Sequence, residues 1–449
     1  MNLENATDFS ALSLEADGHF PRASLTFILK GTFDLVPGGI CAPAEKQRKV
    51  VNDKIHMDDL GRSLAWAGDL APYKPHTDFL IHGSWYAPGG VATTGGRAGF
   101  VFGPLRKELL ISGPRVARRT KGNGGWFVGP TQPVTTVPLR WELSYGGLSD
   151  RRNPMGRGQD AVTLPDGTQE MLLPQIEDPD QPLTDLEQRP TPANFAPVPR
   201  SFAFRHKKLG TRDRRWATFR APLPPLDYDP SFHNAAPEGQ QAANSPVGNE
   251  ELTLINLHPK HPRLTTRLPG LRAQAAVLRK RGEEVTAEAV PMRLDTVVAL
   301  PDEEQLVLVW RGNVPLDEDE GMDGLLAGIV ATEPVAGPPL QPDLPTRLLR
   351  AHAANRQEAA DRAAVNENRA AAAAAAAAEA AAGRAATEAQ TFAEMRKMAA
   401  KANFPPDLLQ VISTETNPET ILQHLDAFVT ATFADIERQF PGLIPKAPP

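Results

Sequence analysis

Short apolar runs closed by proline and glycine recur along the first three-quarters of the chain. In "ASLTFILKGTFDLVPGG", residues 23–39, Phe27, Leu29 and their β-branched or aromatic neighbours predict a strand that ends at Pro37-Gly38-Gly39. "DFLIHGSWY" alternates Phe79, Ile81 and Trp85 against Asp78, His82 and Ser84, the pattern of a half-buried strand closed by Pro88-Gly89-Gly90. Further strands are expected at "RAGFVFG", "KELLISG" and "TTVPLRWELSYGG", and then at "EELTLINLHP", "RLTTRLPG", "AEAVPMRLDTVVALP" and "EQLVLVWRGNVPL". Many short strands at close spacing predict antiparallel sandwich or barrel-like sheets. Between them, residues 150–200 are rich in proline, glycine and acids, and read as a loop region that is functional or wrapped over a sheet.

Beyond about residue 340 the pattern reverses. From Arg347 to Ala402 there is no proline, and Ala370 to Ala378 is unbroken alanine, so a long helix is expected, bent or interrupted near Gly383. Some fifty residues would reach roughly 75 Å, yet alanine buries little area to anchor such a helix. In the tail, Asn417 can cap a second helix and Pro418 suits its first turn. Ile421, Leu425, Phe428, Thr432, Ile436 and Phe440 then fall on one stripe, a docking face. The expected organisation is mostly β over 1–335, open to division into two sub-sheets, with a linker over 336–346 and a helical extension over 347–449.

Composition narrows the classes. At 449 residues the chain exceeds one core, and its 44 prolines are about twice the usual ~5%, which keeps most of it out of helix. A formal charge of −6 gives no global attraction to nucleic acid or anionic lipid. Cys41 is the one cysteine, which excludes an intramolecular disulfide and any multi-thiolate metal site. The polar, acidic start lacks a secretory pattern, and no apolar run reaches the ~20 residues of a membrane span. A cytoplasmic protein is expected.

Candidate chemistry is thin. Cys41 has no neighbouring histidine and reads as a small hydrophobe. His258 and His261 have a metal-compatible spacing but no third ligand, so no metal or cofactor is expected. The glycine-rich stretch after Tyr86 matches no phosphate-binding motif and reads as a hairpin turn. Basic clusters at 115–121 and 205–216 read as solvated strand faces or as sites for an acidic partner, with a phosphate backbone the weaker alternative at the second, where Phe202, Phe204 and Trp216 are interleaved. Asp227, Asp229 and His233 are the best set for a hydrolase, although an Asp beside proline commonly caps its own turn.

One stretch concentrates polar groups: "WAGDLAPYKPHTDFLIHGSWYAPGG", residues 66–90, in which Asp69 and Lys74 are expected to pair or cap across a Pro-rich turn. With "PLRWELSYGG", "NPMGRG", "FAPVPRSFAFRHKKLGT", "LDYDPSFHNAAPEGQQ", "GNEELTLINLHP", "RLPG" and "LDTVVALPDEEQLVLVWRG", it resembles, over roughly residues 20–315, a bacterial domain-of-unknown-function family encoded in type VI secretion clusters and often fused to pentapeptide repeats. The chain departs from that pattern at Gly113-Pro114-Arg115 and carries no pentapeptide repeats. The resemblance implies a non-catalytic adaptor or chaperone that binds a toxin effector and loads it onto the VgrG/PAAR spike. It makes Trp66, Asp69, Lys74, Thr77, Asp78, Asn153, Asn256, Asp295 and Trp310 the candidate scaffold-signature or partner-binding positions. A co-adaptor or a second copy could engage the C-terminal helices. The competing expectations are a hydrolase using Asp227, Asp229 and His233, and a structural spike-associated component.

Overall fold

The structure, a computed structural model, describes residues 1–16, 23–122, 124–316, 321–336, 343–401 and 404–441. Its main strands are β1 (Asn2–Asn5), β2 (Ser10–Ala16), β3 (Ser24–Asp34), β4 (Thr77–Ile81), β5 (Gly95–Phe102), β6 (Leu105–Ser112) and β7 (Glu251–Ile255). There follow β8 (Arg263–Arg267), β9 (Leu271–Arg281), β10 (Glu284–Val290), β11 (Met292–Leu300), β12 (Gln305–Pro315) and β13 (Leu325–Pro334). Three helices close the chain: α1 (Leu344–Lys401), α2 (Pro406–Thr414) and α3 (Pro418–Gln439). The fold is thus mostly β with a C-terminal helical extension, as expected. Two compact units divide it, Met1–His352 and Ala353–Pro449. Most of the expected linker, at 337–342, lies outside the described residues, and α1 begins inside its remaining part.

The first unit is organised around a seven-stranded sheet with the order Gln241–Ala242, β4, β11, β12, β3, β2, and Ala42–Pro43 pairing on β3. Only β4 and β11 run parallel within it. A five-stranded sheet orders Ile176–Glu177, β6, β5, β7, β8, and a four-stranded sheet orders β1, β13, β9, β10. One apolar core joins all three. It holds Phe27, Leu29 and Trp310 from the first sheet, Phe100, Phe102 and Leu254 from the second, and Val277 and Val330 from the third.

Period-two alternation decides what the other face of the large sheet carries. On β3, Phe27, Leu29 and Phe33 enter the main core, so Ile28 and Lys30 point the opposite way. On β12, Leu306, Leu308 and Trp310 do the same and turn Val307, Val309 and Arg311 outward from it. The segment around residues 50–70 covers that second face, packing Trp66 with Leu80, Val298 and Val309. The sheet is therefore buried on both sides, and β4 is buried at every position rather than half-buried as its alternation predicted. The third sheet also has a covered second face, where Leu344 and Leu348 at the start of α1 pack on Ala276, Leu278 and Ile329.

Other expectations need correction. "TTVPLRWELSYGG" is broken into Thr136–Pro138, a turn at Trp141–Leu143 and Tyr145–Gly146. "AEAVPMRLDTVVALP" splits into β10 and β11 at Pro291, which cannot donate to the ladder. The 205–216 cluster lies on short helices, Ala203–His206 and Arg214–Phe219, not on a strand face. The Pro-rich region carries short strands at Arg157–Gly158, Ala161–Thr163, Gln169–Leu172 and Ile176–Glu177. Its remainder wraps over the sheets and buries Phe195 in the main core. Helix α1 runs unbroken through Gly383, because a single glycine costs only about 1 kcal/mol among alanines.

Candidate functional site

The covered face of the large sheet concentrates charge. Lys30 on β3 reaches Asp69 at 2.7 Å, and the two side chains are 1% and 3% exposed. The same ammonium donates to the Lys49 carbonyl at 3.0 Å and lies 4.5 Å above the Trp66 ring. Asp69 also accepts from the Val51 amide at 2.9 Å, which ties the covering segment to the strand. Burial lowers the Lys30 pKa despite the favourable Asp69 carboxylate.

From Asp69 the network continues across the sheet. Its backbone carbonyl accepts from the Arg311 guanidinium at 2.6 Å, and Arg311 pairs with Asp295. Asp295 accepts from the Thr296 hydroxyl at 2.9 Å, and Thr296 in turn accepts from Lys74 at 2.8 Å. A register shift between Leu294 and Thr296 marks the place where Asp295 leaves the regular ladder. Lys74 completes the chain by donating to Asp78 at 2.8 Å.

Asp78 is fully buried and accepts four bonds: from Lys74, from Asn234 Nδ2 at 2.9 Å, and from the Ala235 and Ala236 amides at 2.8 and 3.2 Å. Burial alone would raise its carboxyl, but Lys74, Asn234 and Ala235 together hold it below the usual carboxylate range. It stays ionised at neutral pH with its lone-pair sites occupied, and so is unsuited to act as a general base. Thr77 donates its hydroxyl to the Leu294 carbonyl at 2.7 Å, and Asn313 and Thr26 both bond the Pro72 carbonyl, at 2.8 and 2.9 Å. The expected Asp69–Lys74 pairing is thus replaced by two separate buried pairs, Asp69 with Lys30 and Lys74 with Asp78.

The remaining signature positions have local duties. Asn153 is fully buried and donates to the Trp141 and Tyr145 carbonyls at 2.8 and 3.0 Å. Asn256 takes a left-handed backbone with φ 54° and donates to the Arg97 carbonyl at 2.9 Å. Trp310 lies in the main core, stacked on Phe9 at 6.5 Å. In the second unit, Ile421 is fully buried, and Leu425 and Phe428 pack beside it against Leu408 and Ile412. The expected stripe divides there: Ile436 lies outside that cluster, and Phe440 is 58% exposed.

Of the hydrolase candidates, the two carboxylates are engaged in capping, and His233 packs edge-on to Phe232 at 5.5 Å. Asp227 accepts from the Thr211 amide and hydroxyl at 2.8 and 2.7 Å, and Asp229 caps the turn at Pro230–His233 through the Ser231 amide at 2.8 Å. His258 Nδ1 accepts the Lys260 and His261 amides at 3.1 and 3.2 Å, and no group of three metal-ligating side chains forms among the described residues. Cys41 is buried beside Thr266, and burial pushes its thiol up. In the basic clusters, Arg115 pairs with Glu177 at 2.6 Å and Arg119 lies 4.9 Å over Trp126. Arg205 is buried and donates to the Phe232 and Val198 carbonyls at 3.0 and 2.7 Å, with burial pushing it down to about 10.

Sequence reasoning did not single out Lys30, Thr296, Arg311, Asn234 or Arg205. A signal existed for two of them: Lys30 in "TFILKGTF" and Arg311 in "LVLVWRGN" are lone cations inside strand-like apolar runs. Such a cation is rarely buried without a partner.

The class these observations define is a β-rich body locked by a buried, charge-paired network. Comparison with known families places the chain in a family described as an uncharacterized protein conserved in bacteria, DUF2169, whose model matches residues 21–311. No curated protein and no solved structure matches the chain.

Proposed function

We propose that the protein is a non-catalytic adaptor or chaperone of bacterial type VI secretion, which binds a toxin effector in the cytoplasm and helps to load it onto the VgrG/PAAR spike. One observation supports a binding role above a chemical one. The polar residues that crowd the 66–90 stretch are consumed in holding the sheet together, whereas the second unit leaves large apolar side chains in the open. On α3, Leu422, Val429 and Phe433 are 57%, 43% and 52% exposed, as is Phe440 just past its end at 58%, while Ile421, Leu425 and Phe428 on another side of the helix secure it to α2. Clustered exposed apolar side chains on a secured helix suit a partner surface.

The test is co-purification of the full chain with the products of neighbouring genes, against a variant lacking residues 353–449. A cut at 341 would also strip Leu344 and Leu348 from the third sheet, so the later cut isolates the second unit. Capture of a toxin and a spike protein by the full chain, and its loss on truncation, is the expected result. Equal capture by the truncated protein would remove the second unit from the role, and no capture by either would sink the adaptor reading.

A further inference from the structure

Next to the Lys30–Asp69 pair lies a cavity of about 730 Å³, whose wall includes Lys30, Lys46, Arg48, Lys49, Lys54 and Trp66. The volume falls within the roughly 300–1,000 Å³ of small-molecule sites. Five cations meet there, and only two are neutralised: Lys30 by Asp69, and Arg48 by Glu303. Lys46, Lys49 and Lys54 have no ion-pair partner among the described residues. In a chain of formal charge −6, three uncompensated ammoniums around one concavity are a local reversal of sign, and a low-dielectric wall focuses such a field.

Two aromatic groups complete that wall. His82 stacks on Trp66 at 5.2 Å, and burial, with His56 and Arg48 adding to it, pushes its imidazole down to about 3. Trp66 is 8% exposed, and its buried Nε1–H finds no acceptor among the described residues.

We propose that this cavity binds a small, multiply charged anion bearing two or more phosphoryl groups. The charge count favours phosphate over carboxylate. The one guanidinium fork, which suits carboxylate and phosphate alike, is already held by Glu303 and by Gln305 at 3.0 Å. The free cations are ammoniums, point charges suited to phosphate oxygens. A terminal phosphoryl group brings about −1.5 to −2 charges at neutral pH, so two such groups match three ammoniums. None of the internal pairs of the sheet needs to open. This inference is independent of the adaptor reading, since it concerns the first unit alone.

Calorimetric titration of the full chain with inorganic pyrophosphate and tripolyphosphate tests it, with citrate and a hexaglutamate peptide as carboxylate arms. Lys46→Ala, Lys49→Ala and Lys54→Ala change exposed side chains, so an unchanged melting midpoint without ligand certifies the fold of each variant. The expected result is one polyphosphate per chain, weakened roughly two- to fivefold by each single substitution and abolished by the triple. The melting midpoint should rise with pyrophosphate in the unsubstituted chain and stay fixed in the triple variant. Absence of saturable polyphosphate binding, equal binding by the triple variant, or tighter capture of citrate or hexaglutamate would each overturn the proposal.

Discussion

Lys74 and Asp78 meet at 2.8 Å with their side chains 2% and 0% exposed, four residues apart where the Pro-rich turn enters β4. A pair this deep differs in kind from a surface bridge. Coulombic attraction offsets the loss of water only while both partners and their extra hydrogen bonds are in place. Lys74→Met leaves the Asp78 carboxylate buried with only neutral donors, and should cost about 3–5 kcal/mol in denaturant unfolding. Asp78→Asn with Lys74→Met removes both charges and should cost clearly less than the sum of the two single changes. Additive losses would mean that the two residues act separately.

At Gly113, just past the end of β6, the glycine is demanded by packing. A Cβ at that position would lie 1.8 Å from the Gln132 carbonyl oxygen, a backbone atom that cannot swing away as a side chain can. Gly113→Ala should therefore displace the 130–132 loop from the end of β6 and lower stability by roughly 1–3 kcal/mol. Gly124, with nothing near its Cβ position, is the matched control, and Gly124→Ala should be close to neutral in the same thermal melt.

The parts of this fold that were legible in the sequence are those with one strong local signal. β3 and β12 are apolar runs with turn formers at their ends, and α1 is alanine-rich and free of proline from Arg347 onward. β9 and β13 escaped notice because alanine and charged residues dilute their alternation, and only pairing with each other and burial against α1 makes strands of them. β1 and β2 were hidden for the same reason in a start that reads as polar. The polar site was legible in membership but not in pairing. Asp69, Lys74, Thr77, Asp78 and Asp295 could be named, but their partners Lys30, Arg311 and Asn234 come from positions up to about 240 residues away along the chain. Local spacing carries no record of contacts that only the sheet register creates.

The second unit offers a test of its own. Ile421 is fully buried against Leu408 and Ile412, with Phe404 and Phe428 edge-on at 5.7 Å beside them. Ile421→Ala removes about 2–5 kcal/mol of packing from a small cluster. Proteolysis should then cut within 404–441 much faster, while the melting of the first unit is unchanged. Leu422→Ala alters an exposed position and should leave the protease pattern as it was, even where it weakens partner capture. Faster cutting in both variants would mean that the exposed side of α3 is also part of the fold.

His82 gives the first unit a pH dependence whose sign follows from its burial. The unfolded chain takes up a proton near the ordinary value of 6.5, whereas the folded chain keeps the ring neutral until about pH 3. The unfolded state therefore holds more protons throughout that window, and stability should fall as the pH drops from about 6.5 towards 3. One such group accounts for at most about 1.4 kcal/mol per pH unit. Asp78, whose pKa is lowered in the fold, adds a second loss only below about pH 4, as its carboxylate is protonated. His82→Phe keeps a ring against Trp66 without a titrating nitrogen. Its melting midpoint should decline less steeply between pH 6.5 and 4.5 than that of the unsubstituted chain, the remaining slope coming from His56 and His258, whose imidazoles burial also pushes down. Parallel curves over the upper window would assign the acid sensitivity to another group.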